Sequence, residues 1–282
     1  MGENLGLILI IGQPKAGTTS LFERLSYHPS ICGSKIKETR FFIDQNYPLA
    51  TNKRYNGNNI QEYLEYFDLT TEDFILDASP DYLYSRTPMQ LKKEFKEVYI
   101  IIVERNPNDR LFSLFRYYKQ QSVLRKNVTF DQFIEQQSTD QVETELHKRG
   151  LMHCHYSYID RYQKVFGEKC LIINFGDLTN DPLGTNKKIF RWIKLTETNI
   201  YQPEKNINKT AASRSFLLTK YYRQIRRKTS YLTLKYPLTR RLLNNINQKI
   251  KKFIYIDDFK TDMKLSEKNT KKIENYLSTR FK

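Results

Sequence analysis

LGLILIIGQPKAGTTSLFERL, residues 5–25, decides the fold. Leu7 to Ile11 is an unbroken aliphatic run without polar alternation, which predicts a parallel strand buried on both faces. Gly12 breaks the run. A helix is predicted over residues 17–27, with Leu21, Phe22 and Leu25 turned inward and His28-Pro29 as its stop. A strand that passes through a glycine-bearing turn into a helix start gathers free backbone N–H groups and the positive end of a helix dipole at one point. That arrangement is an anion site in outline.

Further strands are predicted at residues 30–32, 74–77, 98–104 and 170–174, and the clearest of them is VYIIIVE, residues 98–104. Pro107 opens a helix that carries Leu111, Leu114 and Phe115 on one face. Residues 156–166 and 182–193 read as amphipathic helices. Strands alternating with helices of this length imply βαβ units and an α/β fold with a mostly parallel sheet. There is no internal repeat and no low-complexity linker. The expected organisation is one domain over residues 1–282, with a core of about 5–195 and a basic, largely helical extension from about 196.

The chain has 282 residues, 47 Lys and Arg against 31 Asp and Glu, and a formal net charge of +16. Thirteen of the basic residues, and no acidic one, fall in residues 209–252. Such a face attracts nucleic acid, anionic lipid or an acidic glycan; a solvated helical surface is the alternative. No nucleic-acid recognition motif accompanies the charge, so nucleic acid is not expected as a partner, whereas peripheral membrane contact through this region is compatible with it. Cys32, Cys154 and Cys170 are odd in number and form no C-x-x-C, which predicts free thiols in a reducing compartment. No stretch approaches the ~20 apolar residues of a membrane span. A cytoplasmic location is therefore expected, with a lumenal enzyme lacking its anchor as the alternative. No metal site is expected. His153, Cys154 and His155 are adjacent and would point in different directions from a helix.

Gly12 and Gly17 have the spacing of the Walker phosphate loop, but Thr18 stands where that loop has its lysine. The loop's lysine, Lys15, lies two residues before Gly17. PKAGTTSL, residues 14–21, resembles the 5′-phosphosulfate loop of sulfotransferases, which draw on 3′-phosphoadenosine 5′-phosphosulfate (PAPS). The resemblance implies that Lys15 touches the 5′-phosphate and the bridging oxygen of the leaving group. It further implies that the N–H groups of Ala16, Gly17, Thr18, Thr19 and Ser20, with the three hydroxyls, hold the other oxygens. VYIIIVERNPNDRLFSLFRYY, residues 98–118, resembles the same family's 3′-phosphate element, with Arg105 and Ser113 eight residues apart. An arginine leaving the carboxyl end of a buried strand sits where open α/β sheets bind ligands, and its planar fork suits a phosphate.

KETRFF, residues 37–42, is similar to the K-E-x-x-F-F stretch of glycan-type sulfotransferases. This implies Glu38 as general base. Lys37 and Arg40 beside it lower its pKa and are candidates to bind an anionic acceptor. LDASPDYLYS, residues 76–85, resembles the G-E-x-S-P-x-Y-L segment of glycan and bacterial enzymes, with Asp77 where glutamate is usual. It implies acceptor contacts from Asp77, Ser79 and Tyr82, with Asp77 next in line as base. Residues 208–218 are loosely similar to a bacterial N-x-[ST]…R-S-R-L-L stretch, implying Lys209 and Arg214 over the nucleotide. A closing helix is expected at 264–277. Together these imply metal-independent transfer of a sulfuryl group from PAPS to a hydroxyl or amine of a carbohydrate or glycolipid, the carbohydrate subclass resting on residues 37–42 and 76–85. The alternatives are a P-loop kinase needing ATP and magnesium, and a polyanion- or membrane-binding protein built on residues 209–252.

Overall fold

The computed structural model describes residues 5–198 apart from 50, 52, 126, 138–142 and 155. Beyond these it describes 212–213, 218–219, 221–222, 225, 245–247, 249–250, 253, 255–256 and 266–280. They fall into two compact units. The first holds residues up to 106 together with 153–205; the second holds 107–152 and the residues from 206 onward.

The first unit is built on a five-stranded, all-parallel sheet: β1 (Gly6–Gly12), β2 (Ile31–Gly33), β3 (Phe74–Ala78), β4 (Val98–Glu104) and β5 (Cys170–Asn174). The order is β2-β3-β1-β4-β5, so β1 lies at the centre. All seven of its residues are buried, as an uninterrupted apolar run requires. Ile8 pairs with Leu76 on one side and Tyr99 on the other. At Gly12, φ is 143° and a Cβ would lie 2.5 Å from the carbonyl oxygen of Val103, so only glycine lets β1 leave the sheet this close to β4.

Helix α1 (Thr18–Leu25) buries Leu21, Phe22 and Leu25 as predicted, and Thr18 and Arg24 besides. Those three apolar side chains join Ile8, Ile10, Leu76 and Ile101 of the sheet in one core cluster. Buried Arg24 ties this layer together. Its Nε donates to Asn186 Oδ1 at 3.3 Å and its Nη1 to Ser20 Oγ at 3.4 Å. A short helix, α2 (Ile60–Leu64), precedes β3 and supplies buried Tyr63. A 3-10 segment, Pro80–Tyr84, follows β3.

In the second unit, α3 (Pro107–Gln120) buries Leu111, Leu114 and Phe115 as expected, and also Arg110, whose guanidinium donates to the Gly150 carbonyl. Phe115 packs with Phe130 and Phe133 of α4 (Phe130–Glu135). A closing helix occupies Glu267–Arg280, three residues later than expected at each end, and its Lys272 pairs with Glu135 at 2.9 Å. Beyond residue 196, Ala212–Ser213 and Tyr255–Ile256 pair antiparallel.

Back in the first unit, α5 (Ser157–Phe166) packs on β4 and β5. Helices α6 (Phe175–Asn180) and α7 (Pro182–Trp192) follow β5 and contribute Leu178, Ile189 and Phe190 to the core cluster. His153 stacks on Tyr84 with ring centroids 3.7 Å apart, and among the described residues no group of His, Cys, Asp and Glu could hold a metal ion. Among the described residues no helix is long and apolar enough to cross a membrane. Most of the basic stretch 209–252 lies outside the described residues.

Candidate active site

Three neighbouring parallel strands, β3, β1 and β4, end on the same edge of the sheet. The chain leaves β1 towards β2 on one side and later enters β4 on the other. The carboxyl end of β1 is therefore the switch point of the sheet, where open α/β folds bind ligands.

The turn after β1 is folded for an anion. Ala16 N–H donates to the Gln13 carbonyl at 3.1 Å, closing a tight turn. Lys15 has φ 75° and Gly17 φ 89°, both in the left-handed region. A β-carbon on Gly17 would meet the Phe175 ring at 3.0 Å. Helix α1 begins at the next residue with no side chain capping it and no acidic residue in its first turn. Its leading N–H groups and dipole thus face outward, with Lys15 half-buried beside them. Thr18 is buried; Thr19 and Ser20 are half-buried. The expectation that Ala16 offers its N–H to a ligand is corrected, because that group is used within the turn. A dianionic phosphate group fits this donor set, since it brings the acceptors and charge that an uncapped helix start lacks.

Arg105 is tied to the same turn. Its backbone N–H donates to Gln13 Oε1 at 3.4 Å, its Nη1 donates to the Lys15 carbonyl at 2.9 Å, and its guanidinium lies over the Phe175 ring at 4.4 Å. The structure thus brings Arg105 against the Lys15 turn, two elements that the sequence holds 90 residues apart. Ser113 is the seventh residue of α3, in the second unit, and is half-buried. Lys209 and Arg214 lie outside the described residues.

Glu38 projects from the turn that follows β2. Its backbone N–H donates to the carbonyl of Ala78, the last residue of β3, at 3.2 Å. Glu38 and Arg40 both adopt positive φ, 63° and 55°. The Glu38 carboxylate is bridged by Lys37 Nζ at 3.0 Å on Oε1 and by the Arg40 guanidinium on Oε2. Burial pushes its pKa up, but Lys37 and Arg40 outweigh burial and hold it below the usual glutamate range.

Asp77, Ser79 and Tyr82 stand elsewhere than expected. All three are fully buried, so the direct acceptor contacts expected of them are corrected. They form a polar network under the Glu38 turn. Asp77 Oδ2 accepts from Thr39 Oγ1 at 2.6 Å, Tyr82 OH at 3.0 Å and Tyr63 OH at 3.3 Å, and Oδ1 accepts from Ser79 Oγ at 3.0 Å. Ser79 Oγ accepts from Arg40 N–H at 3.2 Å, and Tyr82 OH from Phe42 N–H at 3.2 Å. Burial raises the Asp77 pKa despite these four donors. Phe41 and Phe42 are buried, as expected of core residues.

Sequence reasoning missed four residues here: Gln13, Thr39, Asp81 and Phe175. Asp81 is half-buried and accepts from Tyr47 OH at 3.1 Å. Burial raises its pKa; Arg40 lowers it and Glu38 raises it, which puts this second carboxylate within electrostatic reach of Glu38. The signal for Asp81 was present in DASPDYL, four residues beyond Asp77. Phe175 gave none, since an aromatic residue after a strand reads as core.

A family model described as sulfotransferase domain matches residues 6–230. A mouse bifunctional heparan sulfate N-deacetylase/N-sulfotransferase 4 is 26% identical over 207 residues, covering 69% of this chain and 23% of the relative. The human bifunctional heparan sulfate N-deacetylase/N-sulfotransferase 2 is 26% identical over 207 residues, covering 69% and 22%. The chain thus spans less than a quarter of the length of these curated relatives. A crystal structure of a sulfotransferase from Alicyclobacillus acidocaldarius superposes with a TM-score of 0.57 at 21% identity, covering 80% of this chain and 93% of that one, so the two share a fold.

Proposed function

The chain belongs to the sulfotransferase domain family, and from that premise we propose that it transfers a sulfuryl group to a hydroxyl or amine of a carbohydrate acceptor. When bound, PAPS supplies the group that is transferred, with adenosine 3′,5′-bisphosphate left behind. The observation that carries this reading is the Nη1 contact from Arg105 to the Lys15 carbonyl, 2.9 Å long. It joins one phosphate-binding element to the other at the switch point of the sheet.

The chain's own groups divide the work. The N–H groups of Gly17, Thr18, Thr19 and Ser20, with the side chains of the last three, bind the 5′ side of the nucleotide. The Lys15 ammonium neutralises charge that grows on the leaving oxygen. Arg105, stacked on Phe175, reads the 3′-phosphate. Glu38 removes the acceptor proton. Asp77, Ser79 and Tyr82 hold the Glu38 turn in place and do not touch the acceptor. A carbohydrate acceptor is supported by the heparan sulfate relatives, whose names describe sulfation of a glycan.

Titration calorimetry with adenosine 3′,5′-bisphosphate, against ADP with magnesium, tests the reading. We expect the bisphosphate to bind at least about tenfold more tightly without metal, the worth of one charged phosphate contact. Equal binding, or preference for ADP with magnesium, would refute the assignment of Arg105.

A further inference from the structure

Both oxygens of the Glu38 carboxylate are taken by cations, Oε1 by Lys37 and Oε2 by Arg40. A carboxylate held this way is a poor proton acceptor, because each cation stabilises the ionised form that proton uptake would abolish. The backbone that carries the three charges is fixed. Glu38 N–H is held by the Ala78 carbonyl at 3.2 Å, Arg40 N–H by Ser79 Oγ at 3.2 Å, and the Thr39 hydroxyl between them by Asp77 at 2.6 Å. The side chains are less confined: Lys37 is 19% exposed, and Glu38 and Arg40 are each 31% exposed. The charges can therefore rearrange about their side-chain torsions while the turn stays still. Asp81, anchored by Tyr47, lies within electrostatic reach of all three.

We propose that Lys37 and Arg40 form a releasable clamp on Glu38, opened when a negatively charged group of the acceptor draws one of them away. The acceptor is then a carbohydrate bearing a carboxylate or sulfate beside the group to be modified, and a neutral sugar leaves the clamp shut. The exchange is balanced in charge: the acceptor anion takes over the cation that Glu38 gives up, and Glu38 becomes basic at the moment the acceptor is in place. Asp81 does not replace the lost cation, since it repels Glu38. This inference rests on Glu38 being the base.

The test is a pH titration of the Glu38 carboxyl by carbon-13 NMR in glutamate-labelled protein, with the resonance assigned by Glu38→Gln. The probes are an unsulfated uronic-acid tetrasaccharide and its carboxyl-reduced, neutral counterpart. In the unaltered protein the charged tetrasaccharide should move the Glu38 midpoint upward, and the neutral one should leave it in place. Arg40→Asn, chosen because asparagine tolerates the left-handed backbone at this position, should show the raised midpoint without sugar. It should also bind the charged tetrasaccharide about tenfold more weakly. Lys37→Gln should move the midpoint in the same direction, which keeps the test open if Arg40→Asn folds poorly. A midpoint that ignores the charged tetrasaccharide, or responds equally to both sugars, would overturn the clamp. Full turnover by Glu38→Gln would instead remove the base assignment and leave the titration result standing.

Discussion

Lys15 holds its ammonium at the mouth of α1 only by accepting a left-handed backbone, φ 75°. For a residue with a β-carbon that conformation costs about 1 kcal/mol or more. The cost separates charge from shape. Lys15→Ala and Lys15→Gly should both abolish turnover and weaken bisphosphate binding in calorimetry. Lys15→Gly should nevertheless be more stable than Lys15→Ala by about 1 kcal/mol in denaturant unfolding, and the reverse order would mean the turn is not strained there. Glu38 gives a pH prediction. Its folded pKa lies below the ordinary glutamate value, because Lys37 and Arg40 outweigh burial. Its contribution to stability is therefore fully present above that value and is lost as pH falls through the depressed folded value. Glu38→Gln should flatten this acid limb in unfolding experiments. It should also lower turnover by about a hundredfold or more while leaving bisphosphate affinity unchanged. Lys15 and Arg105 were legible in the sequence because each sits at a strand end whose apolar run is local and unbroken. Asp77, Ser79 and Tyr82 were placed wrongly at this scale. The motif DASPDYL marks them as polar, and nothing local says that Tyr63, Thr39 and Tyr82 will close over the carboxylate.

Among the elements, the β3 end and the Glu38 turn behave as one piece, bound by the four hydroxyls on Asp77. Asp77→Asn keeps the shape but turns an amide N–H₂ toward hydroxyls that were donating. We expect a loss of about 1–3 kcal/mol in denaturant unfolding. Turnover should fall as the Glu38 turn loosens, while bisphosphate affinity, which belongs to the neighbouring β1 turn, should hold. Burial raises the Asp77 pKa above the ordinary aspartate value. Its contribution is therefore fully present below that value and lost as pH rises through the raised one, and Asp77→Asn should remove this dependence. An unchanged stability in the variant would mean that the network tolerates either polarity. Long elements were readable: β4 and α3 start where predicted, and β1 starts one residue earlier, at Gly6. The short helices Ile60–Leu64, Phe130–Glu135 and Phe175–Asn180 were not, because five or six residues complete less than two turns and show no period. Helix α6 has no breaker before it either; Asn174 ends β5 and caps α6 in the same step, its side chain accepting from Gly176 N–H at 2.8 Å.

At the scale of the molecule, the parallel sheet and its helices follow from the alternation of buried runs and amphipathic stretches, whereas the strand order β2-β3-β1-β4-β5 was not legible. Order is decided by which crossover packs best, and that is a property of pairs of elements far apart in the chain. The division into two units was not legible either, because the chain passes between them three times, at residues 106–107, 152–153 and 205–206. The centre of the first unit should be intolerant of lost volume. Leu9 is fully buried between Asp77 and Ile100, and Leu9→Ala should cost about 2–5 kcal/mol in unfolding experiments. A cost under about 1 kcal/mol would mean the sheet centre can collapse into the space. The central place of β1 carries a consequence for the order in which the chain matures. Its two neighbours are Phe74–Ala78 and Val98–Glu104, so the most apolar strand precedes both of its partners in the chain. Until Phe74–Ala78 has emerged both of its hydrogen-bonding edges stand open, and until Val98–Glu104 has emerged one still does, a condition that slows folding and invites association with other nascent chains. The topology that leaves β1 waiting for its partners is the same one that later brings Lys15, Glu38 and Arg105 to one edge.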